Sequence, residues 1–114
     1  MNTLSTHVLD TSLGTPGRGL TLSLERWSAD QNWQRIGGGT TDDDGRVRDL
    51  LDSDETLDIG RYRMSFETGA YFGSQSLSTL YPVVRIVFDV QGDGEHYHIP
   101  LLLSPFGYST YRGS

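Results

Sequence analysis

The chain contains no cysteine. Disulfides, thiolate metal ligands and cysteine nucleophiles are therefore excluded, and the redox compartment is left unmarked. Long apolar runs are missing too. No segment approaches the roughly 20 apolar residues needed to span a bilayer. The stretch Met1-Asn2-Thr3-Leu4-Ser5-Thr6-His7 lacks the basic start and apolar run of a secretory signal. No membrane partner is expected, and a cytoplasmic location is the default. Basic residues are scarce, nine against fifteen acidic, for a formal charge of −6. Such a chain repels phosphate backbones, so nucleic acid is not an expected partner. A local basic pocket remains compatible with that total. Apolar residues make up only 35% of the 114. One domain over residues 1–114 is expected, and the thin apolar supply favours oligomerisation as a second source of burial.

What the chain has in quantity is period-two alternation. Leu20, Leu22 and Leu24 alternate with Thr21, Ser23 and Glu25. Tyr62, Met64 and Phe66 alternate with Arg61, Arg63 and Ser65, and Val84, Ile86, Phe88 and Val90 alternate with Arg85 and Asp89. Each pattern puts an apolar row on one face of a strand. In residues 96–103, Tyr97, Ile99, Leu101 and Leu103 share a face, and His96, His98, Pro100 and Leu102 share the other. Pro100 cannot donate to a ladder, which suggests an edge or a bulge. Fourteen glycines and four prolines supply turns between these runs. About eight short strands result, near 4–10, 20–28, 32–40, 46–49, 60–68, 83–91, 96–104 and 106–112, which points to an all-β sandwich. One stretch, about 72–80, has room for a short helix that Pro82 would end.

Three histidines are the candidates for proton exchange near neutral pH: His7, His96 and His98. His96 and His98 project from one face of their strand. A His-x-His pair with a distant third histidine has the spacing of a three-histidine zinc site. No carboxylate to orient such ligands is legible, and no metal is expected. The run Asp42-Asp43-Asp44-Gly45 fails as an EF-hand. Aligning Gly45 with the loop glycine puts Thr40 and Leu51 at the first and last ligand positions. A solvated hairpin turn fits better. Gly37-Gly38-Gly39 is followed by no Lys-Ser/Thr or helix pattern, so it reads as a strand in close backbone approach, or a bulge. Most arginines occupy polar positions, as on a solvated face. The aromatic end, Phe106 to Ser114, is either a docked last strand or a tail folded into a site.

Three stretches carry a resemblance that covers essentially the whole chain. They are Leu4-Ser5-Thr6-His7-Val8-Leu9-Asp10-Thr11 with the Gly14-Thr15-Pro16 turn, Thr41-Asp42-Asp43-Asp44-Gly45-Arg46, and Glu95 to Pro105 continuing into Tyr108 to Ser114. The chain resembles the 5-hydroxyisourate hydrolases, the transthyretin-related enzymes of urate breakdown. The terminal Tyr111-Arg112-Gly113-Ser114 is the most specific element. The hormone-carrier branch has lysine where His7 stands and lacks this tail. Departures are small: Arg18-Gly19 in the first loop, and Val83-Val84-Arg85 where an acidic residue is frequent.

The resemblance implies a transthyretin-like β-sandwich of two four-stranded sheets with one short helix. It also implies a homotetramer with active sites between dimers, no cofactor, and 5-hydroxyisourate as the small-molecule substrate. Its functional residues map onto His7, Arg46, His98 and the tail. His7, His98 and Ser114 are then the catalytic candidates. His7, Arg46, His98, Tyr111, Arg112 and Gly113 are the substrate-binding ones, and His96 is the weaker of its pair. Opening a cyclic amide requires a base for water and donors for the developing oxyanion. A neutral histidine and the planar arginine fork supply both. Ser114 would position water or a histidine; as a nucleophile it would need a rigid mount. The competing expectation is a transthyretin-like small-ligand binding module without catalysis.

Overall fold

Alternating side chains build two sheets that share one core. A computed structural model describes residues 1–114. In chain order the elements are β1 (Thr3–Asp10), β2 (Thr15–Pro16), β3 (Thr21–Trp27), β4 (Trp33–Thr40), β5 (Arg46–Val47), β6 (Gly60–Phe66), α1 (Thr68–Gly73), β7 (Val84–Val90), β8 (His96–Ser104) and β9 (Gly107–Thr110). One sheet has the order β4-β3-β6-β7 and is antiparallel throughout. The other runs β2-β1-β8-β9, with β5 also on β1. Its β1–β8 pair is parallel, and β8–β9 is an antiparallel hairpin.

Period two decides which side chains enter the core. Leu4, Thr6, Val8 and Asp10 of β1 are buried, as are Tyr97, Ile99, Leu101 and Leu103 of β8. Leu22 and Leu24, Tyr62, Met64 and Phe66, and Val84, Ile86 and Val90 meet them from the other sheet in one cluster of 21 residues. The rows predicted to be apolar are the buried rows, so the sandwich is the fold the alternation called for. No helix is long and apolar enough to cross a membrane.

The strand count differs from the expected four plus four. Two two-residue strands share the outer side of β1: β5 covers Thr6 and His7, and β2 covers Leu9 and Asp10. At either level the sheet is four strands wide, but it contains five segments.

The helix lies earlier than 72–80. Burial of Tyr71 and Phe72 anchors α1, and it ends at Gly73. Ser74-Gln75-Ser76 offers no apolar side chain to bury on a further turn, and Ser76 adopts a positive φ of 59°. The Gln75 and Leu77 N–H groups both donate to the Phe72 carbonyl, closing the end.

Pro100 is not at an edge, since β8 lies between β1 and β9. The continuous β8–β9 ladder stops at Leu101 opposite Thr110, and the proline stands where pairing lapses. Pairing resumes at His98 and Gly113. A residue without an N–H is tolerated inside the sheet because the ladder is broken beside it. The glycine run behaves as expected on both counts. The β3–β4 register shifts at Leu24/Glu25, and a Cβ on Gly37 would fall 1.8 Å from the Leu50 carbonyl oxygen.

Candidate active site

The face of β1 turned away from the core carries Thr3, Ser5, His7 and Leu9, and the matching face of β8 carries His96 and His98. The parallel register sets Thr3 beside His96, Ser5 beside His98 and His7 beside Pro100. The polar side chains of two strands distant in sequence therefore form one surface. His7 and His98 are half-buried and His96 is exposed.

Arg46 reaches this surface from the other side of β1, where it pairs with His7. The acidic turn mounts it. The Asp42 carboxylate accepts the N–H groups of Asp44 and Arg46, each at 2.9 Å. The Gly45 N–H donates to the Asp42 carbonyl, and the Gly45 carbonyl accepts the Val8 N–H at 2.7 Å. Gly45 has a φ of 75°, and a Cβ there would lie 2.4 Å from the Val8 oxygen. Only glycine serves at that point. These hydrogen bonds, the one from Arg46 first, hold the Asp42 carboxyl below the usual aspartate range. The run is a hairpin turn as expected, and it also aims a guanidinium at a histidine face.

The tail closes the third side. After β9 the chain returns to β8, where the Gly113 N–H donates to the His98 carbonyl at 2.7 Å. Tyr111 and Ser114 are exposed. Arg112 goes elsewhere. Its guanidinium lies 4.6 Å from the Tyr97 ring centre and 3.6 Å from the Glu95 carboxylate. Tyr97 belongs to the core-facing row, so Arg112 sits on the opposite side of β8 from the histidines. His7, Arg46, His98 and Gly113 are thus brought together within the chain, and Arg112 is not.

Burial lowers the affinity of His98 for a proton, and Arg46, His7 and His96 lower it further. A backbone hydrogen bond to Ser5 opposes them without reversing the shift. His98 therefore lies below the ordinary histidine value of 6.5 and is a neutral imidazole at neutral pH. A neutral imidazole beside a fixed guanidinium can take a proton from water and leave the cation to meet negative charge. No cluster of three or more His, Cys, Asp or Glu side chains is arranged to hold a metal ion. The face is open: no cleft of the chain is lined by His7, Arg46 or His98, and the one beside Ile86–Asp89 is bounded on its other side by Tyr97, Tyr111 and Arg112.

Ser5 and Thr3 were not among the residues expected at the site. The Ser5 hydroxyl lies 2.8 Å from His98 Nδ1 and 3.0 Å from His96 Nε2. Thr3 Oγ1 lies 2.5 Å from His96 Nδ1. Period two places both residues on the His7 face, which is a signal the sequence carries. That β1 and β8 pair in parallel, and at this register, is not.

Fold and face together define a transthyretin-like β-sandwich with a histidine–arginine site on the outer side of one sheet. Residues 4–113 match the HIUase/Transthyretin family, and the chain belongs to it. It is 44% identical over 113 residues to the 5-hydroxyisourate hydrolase of Salmonella typhimurium, covering 99% of this chain and 82% of that one. Among solved structures it is similar to Klebsiella pneumoniae 5-hydroxyisourate hydrolase, with a TM-score of 0.84, 40% identity, and 98% and 99% of the two chains covered. It is also similar to sea bream transthyretin in complex with thyroxine, with a TM-score of 0.91, 35% identity, and 97% and 94% covered. Backbone likeness alone does not separate enzyme from carrier; the side chains on the face must do so.

Proposed function

We propose that this protein is an enzyme of urate breakdown that hydrolyses 5-hydroxyisourate to 2-oxo-4-hydroxy-4-carboxy-5-ureidoimidazoline, working as one domain over residues 1–114. The observation that carries this reading is the convergence of His7, Arg46 and His98 on one face with the tail lying against His98. By the resemblance, His7 stands where the carrier branch has lysine, and the Tyr111-Arg112-Gly113-Ser114 end of this chain is the motif that marks the enzyme branch. Relatives of 40% identity and more, over nearly the whole chain, are named for this hydrolysis.

In this reading a histidine of the His7–His98 pair removes a proton from water. The water oxygen bonds to the amide carbon of the six-membered ring. Negative charge develops on the carbonyl oxygen, where the Arg46 guanidinium meets it. The ring C–N bond then breaks, and the proton held by the imidazole passes to the departing nitrogen. No cofactor enters the balance. Tyr111, Gly113 and Ser114 wall the substrate, with Ser114 placing water or a histidine. Arg112, clasped on Tyr97 and Glu95, holds the tail there.

An open face needs a second wall, and a homotetramer would supply it. Exposed Val87 on β7 and Tyr108 on β9 lie on the free outer strands of the two sheets, where a second copy can pair. Sedimentation analysis checks the assembly.

The decisive experiment uses freshly generated 5-hydroxyisourate and follows its loss above the spontaneous rate. Deleting Tyr111–Ser114 in parallel separates hydrolysis from simple ligand binding. An enzyme loses its turnover, whereas a binding module keeps its ligand and shows no turnover in either form.

A further inference from the structure

One hydroxyl lies between two imidazoles on the candidate face. Ser5 Oγ is 2.8 Å from His98 Nδ1 and 3.0 Å from His96 Nε2, and Thr3 Oγ1 is 2.5 Å from His96 Nδ1. The two rings are nearly parallel, 14° apart with centres 6.4 Å apart. A serine hydroxyl has a single proton. It can donate to one ring only, and the other ring must donate to it.

Two arrangements satisfy the chain Thr3–His96–Ser5–His98. In the first, Thr3 donates to His96 Nδ1, His96 Nε2–H donates to Ser5, and Ser5 donates to His98 Nδ1. The outward His98 Nε2 then carries a hydrogen and cannot act as a base. In the second, every bond is reversed. His98 Nδ1–H donates to Ser5, Ser5 donates to His96 Nε2, and His96 Nδ1–H donates to Thr3. His98 Nε2 is then bare. The tautomers of the two rings are locked together by one shared hydroxyl.

We infer that Ser5, backed by His96, fixes His98 as the Nδ1–H tautomer and so is a positioning residue for the base. The inference rests on the hydrolytic reading above. The chemistry selects the second arrangement. When His98 takes a proton from water, both of its nitrogens carry hydrogen, and Nδ1 must donate. The Ser5 hydroxyl accepts that bond when its own proton goes to His96, and the Ser5 backbone favours the same protonated ring. Ser5 and His96 together therefore occupy the place that a carboxylate fills behind the histidine of a hydrolytic triad. They do so without a buried negative charge. A neutral His96 is required, because a protonated His96 donates from Nε2, turns the Ser5 proton toward His98 and blocks the base. The charged and titratable groups that face His98 are Arg46 from β5, His7 from β1 and His96 from its own strand.

The test combines nitrogen NMR with kinetics on the full chain. In the unsubstituted protein above the histidine titration range, His98 should show a protonated Nδ1 and a bare Nε2. Ser5→Ala and His96→Phe should each abolish that bias. Each should also lower kcat by about 10-fold or more with little change in KM, a part of the roughly 10²- to 10⁴-fold that positioned proton transfer supplies. Ser5→Thr keeps a hydroxyl on a strand-compatible side chain and should restore both readouts. Finding His98 as the Nε2–H tautomer, or finding its nitrogens unchanged in Ser5→Ala, overturns the inference. If the unsubstituted protein fails to turn over 5-hydroxyisourate, the proposed function falls, while the nitrogen shifts still decide the tautomer.

Discussion

Gly113 lies against the His98 imidazole. Its N–H reaches the His98 carbonyl at 2.7 Å, and a Cβ added to it would stand 2.5 Å from His98 Cδ2. No real side chain tolerates that distance, so either the tail or the ring must move. Gly113→Ala is expected to lower kcat by at least about 10-fold, the scale of a misplaced acid–base group. The melting temperature should change little, because the tail covers little of the core. Parallel kinetics and thermal unfolding check this. A loss of stability that matches the loss of rate would assign Gly113 a structural role only.

How much of this could be read beforehand depends on the range of the interaction. The buried rows of β3, β6, β7 and β8 follow from period two, which each strand carries within itself. The Asp42–Gly45 turn was legible for the same reason, since its hydrogen bonds span four residues or fewer apart from the tether to Val8. Pro100 was misplaced because edge and interior differ only in what pairs alongside. The helix was misplaced because Tyr71 and Phe72, not the stretch after them, face the core. His7, Arg46 and His98 came from the resemblance, and the sheet register then put them on one face. Ser5 was missed because its partners are 91 and 93 residues away. Arg112 was expected near the substrate, and its stacking on Tyr97 depends on which side of β8 each tail residue takes.

The mount of Arg46 predicts a graded pair of substitutions. Asp42→Asn keeps a side-chain oxygen for the N–H groups of Asp44 and Arg46, and kcat/KM should stay within a few-fold. Asp42→Ala removes it and frees the turn, so kcat/KM should fall further with stability nearly intact. Arg46→Lys keeps the charge but loses the planar fork, and should resemble a loss of function more than a conservative change. Steady-state kinetics on the three variants order these effects. Equal activity in Asp42→Ala and the unsubstituted protein would show that the turn does not aim Arg46.

Asp10 and Tyr71 form the buried link between β1 and α1. The Tyr71 hydroxyl donates to Asp10 Oδ2 at 2.7 Å, while Oδ1 accepts from the backbone and hydroxyl of Ser12 and the N–H of Leu13. Tyr71→Phe leaves Oδ2 without a donor in a residue with no exposed surface. The expected cost is about 1.5–3 kcal/mol, the range for hydrogen bonds to charged groups. Burial first, and the Asp10 hydrogen bond second, push the Tyr71 phenol from 10.0 up to about 12. The folded value is the higher one. Its contribution is therefore fully present below 10 and is lost as pH rises from 10 toward about 12. Denaturant unfolding of both proteins across that window should show a steeper alkaline loss in the unsubstituted chain.

His98 gives the opposite slope at lower pH. Burial, then Arg46, then His7 and His96 hold it below 6.5 in the folded protein. Above 6.5 the imidazole is neutral in both states and contributes no difference. Below that value the unfolded chain takes up a proton that the folded chain resists. The unfolded state then binds more protons, so stability falls as pH drops through the window. His98→Gln removes the titrating group, and its stability should decline less between about pH 8 and about pH 5 than that of the unsubstituted protein. In the proposed mechanism the same depression would help catalysis. A base that stays neutral below 6.5 keeps the rate up at pH values where an ordinary histidine would already be protonated. Replacing Arg46 with Gln withdraws one of the causes, so the acid limb of kcat/KM should move to higher pH even as the overall rate falls. A limb that stays in place in Arg46→Gln, together with an unaltered stability slope in His98→Gln, would mean that some other group governs the acid side of this protein.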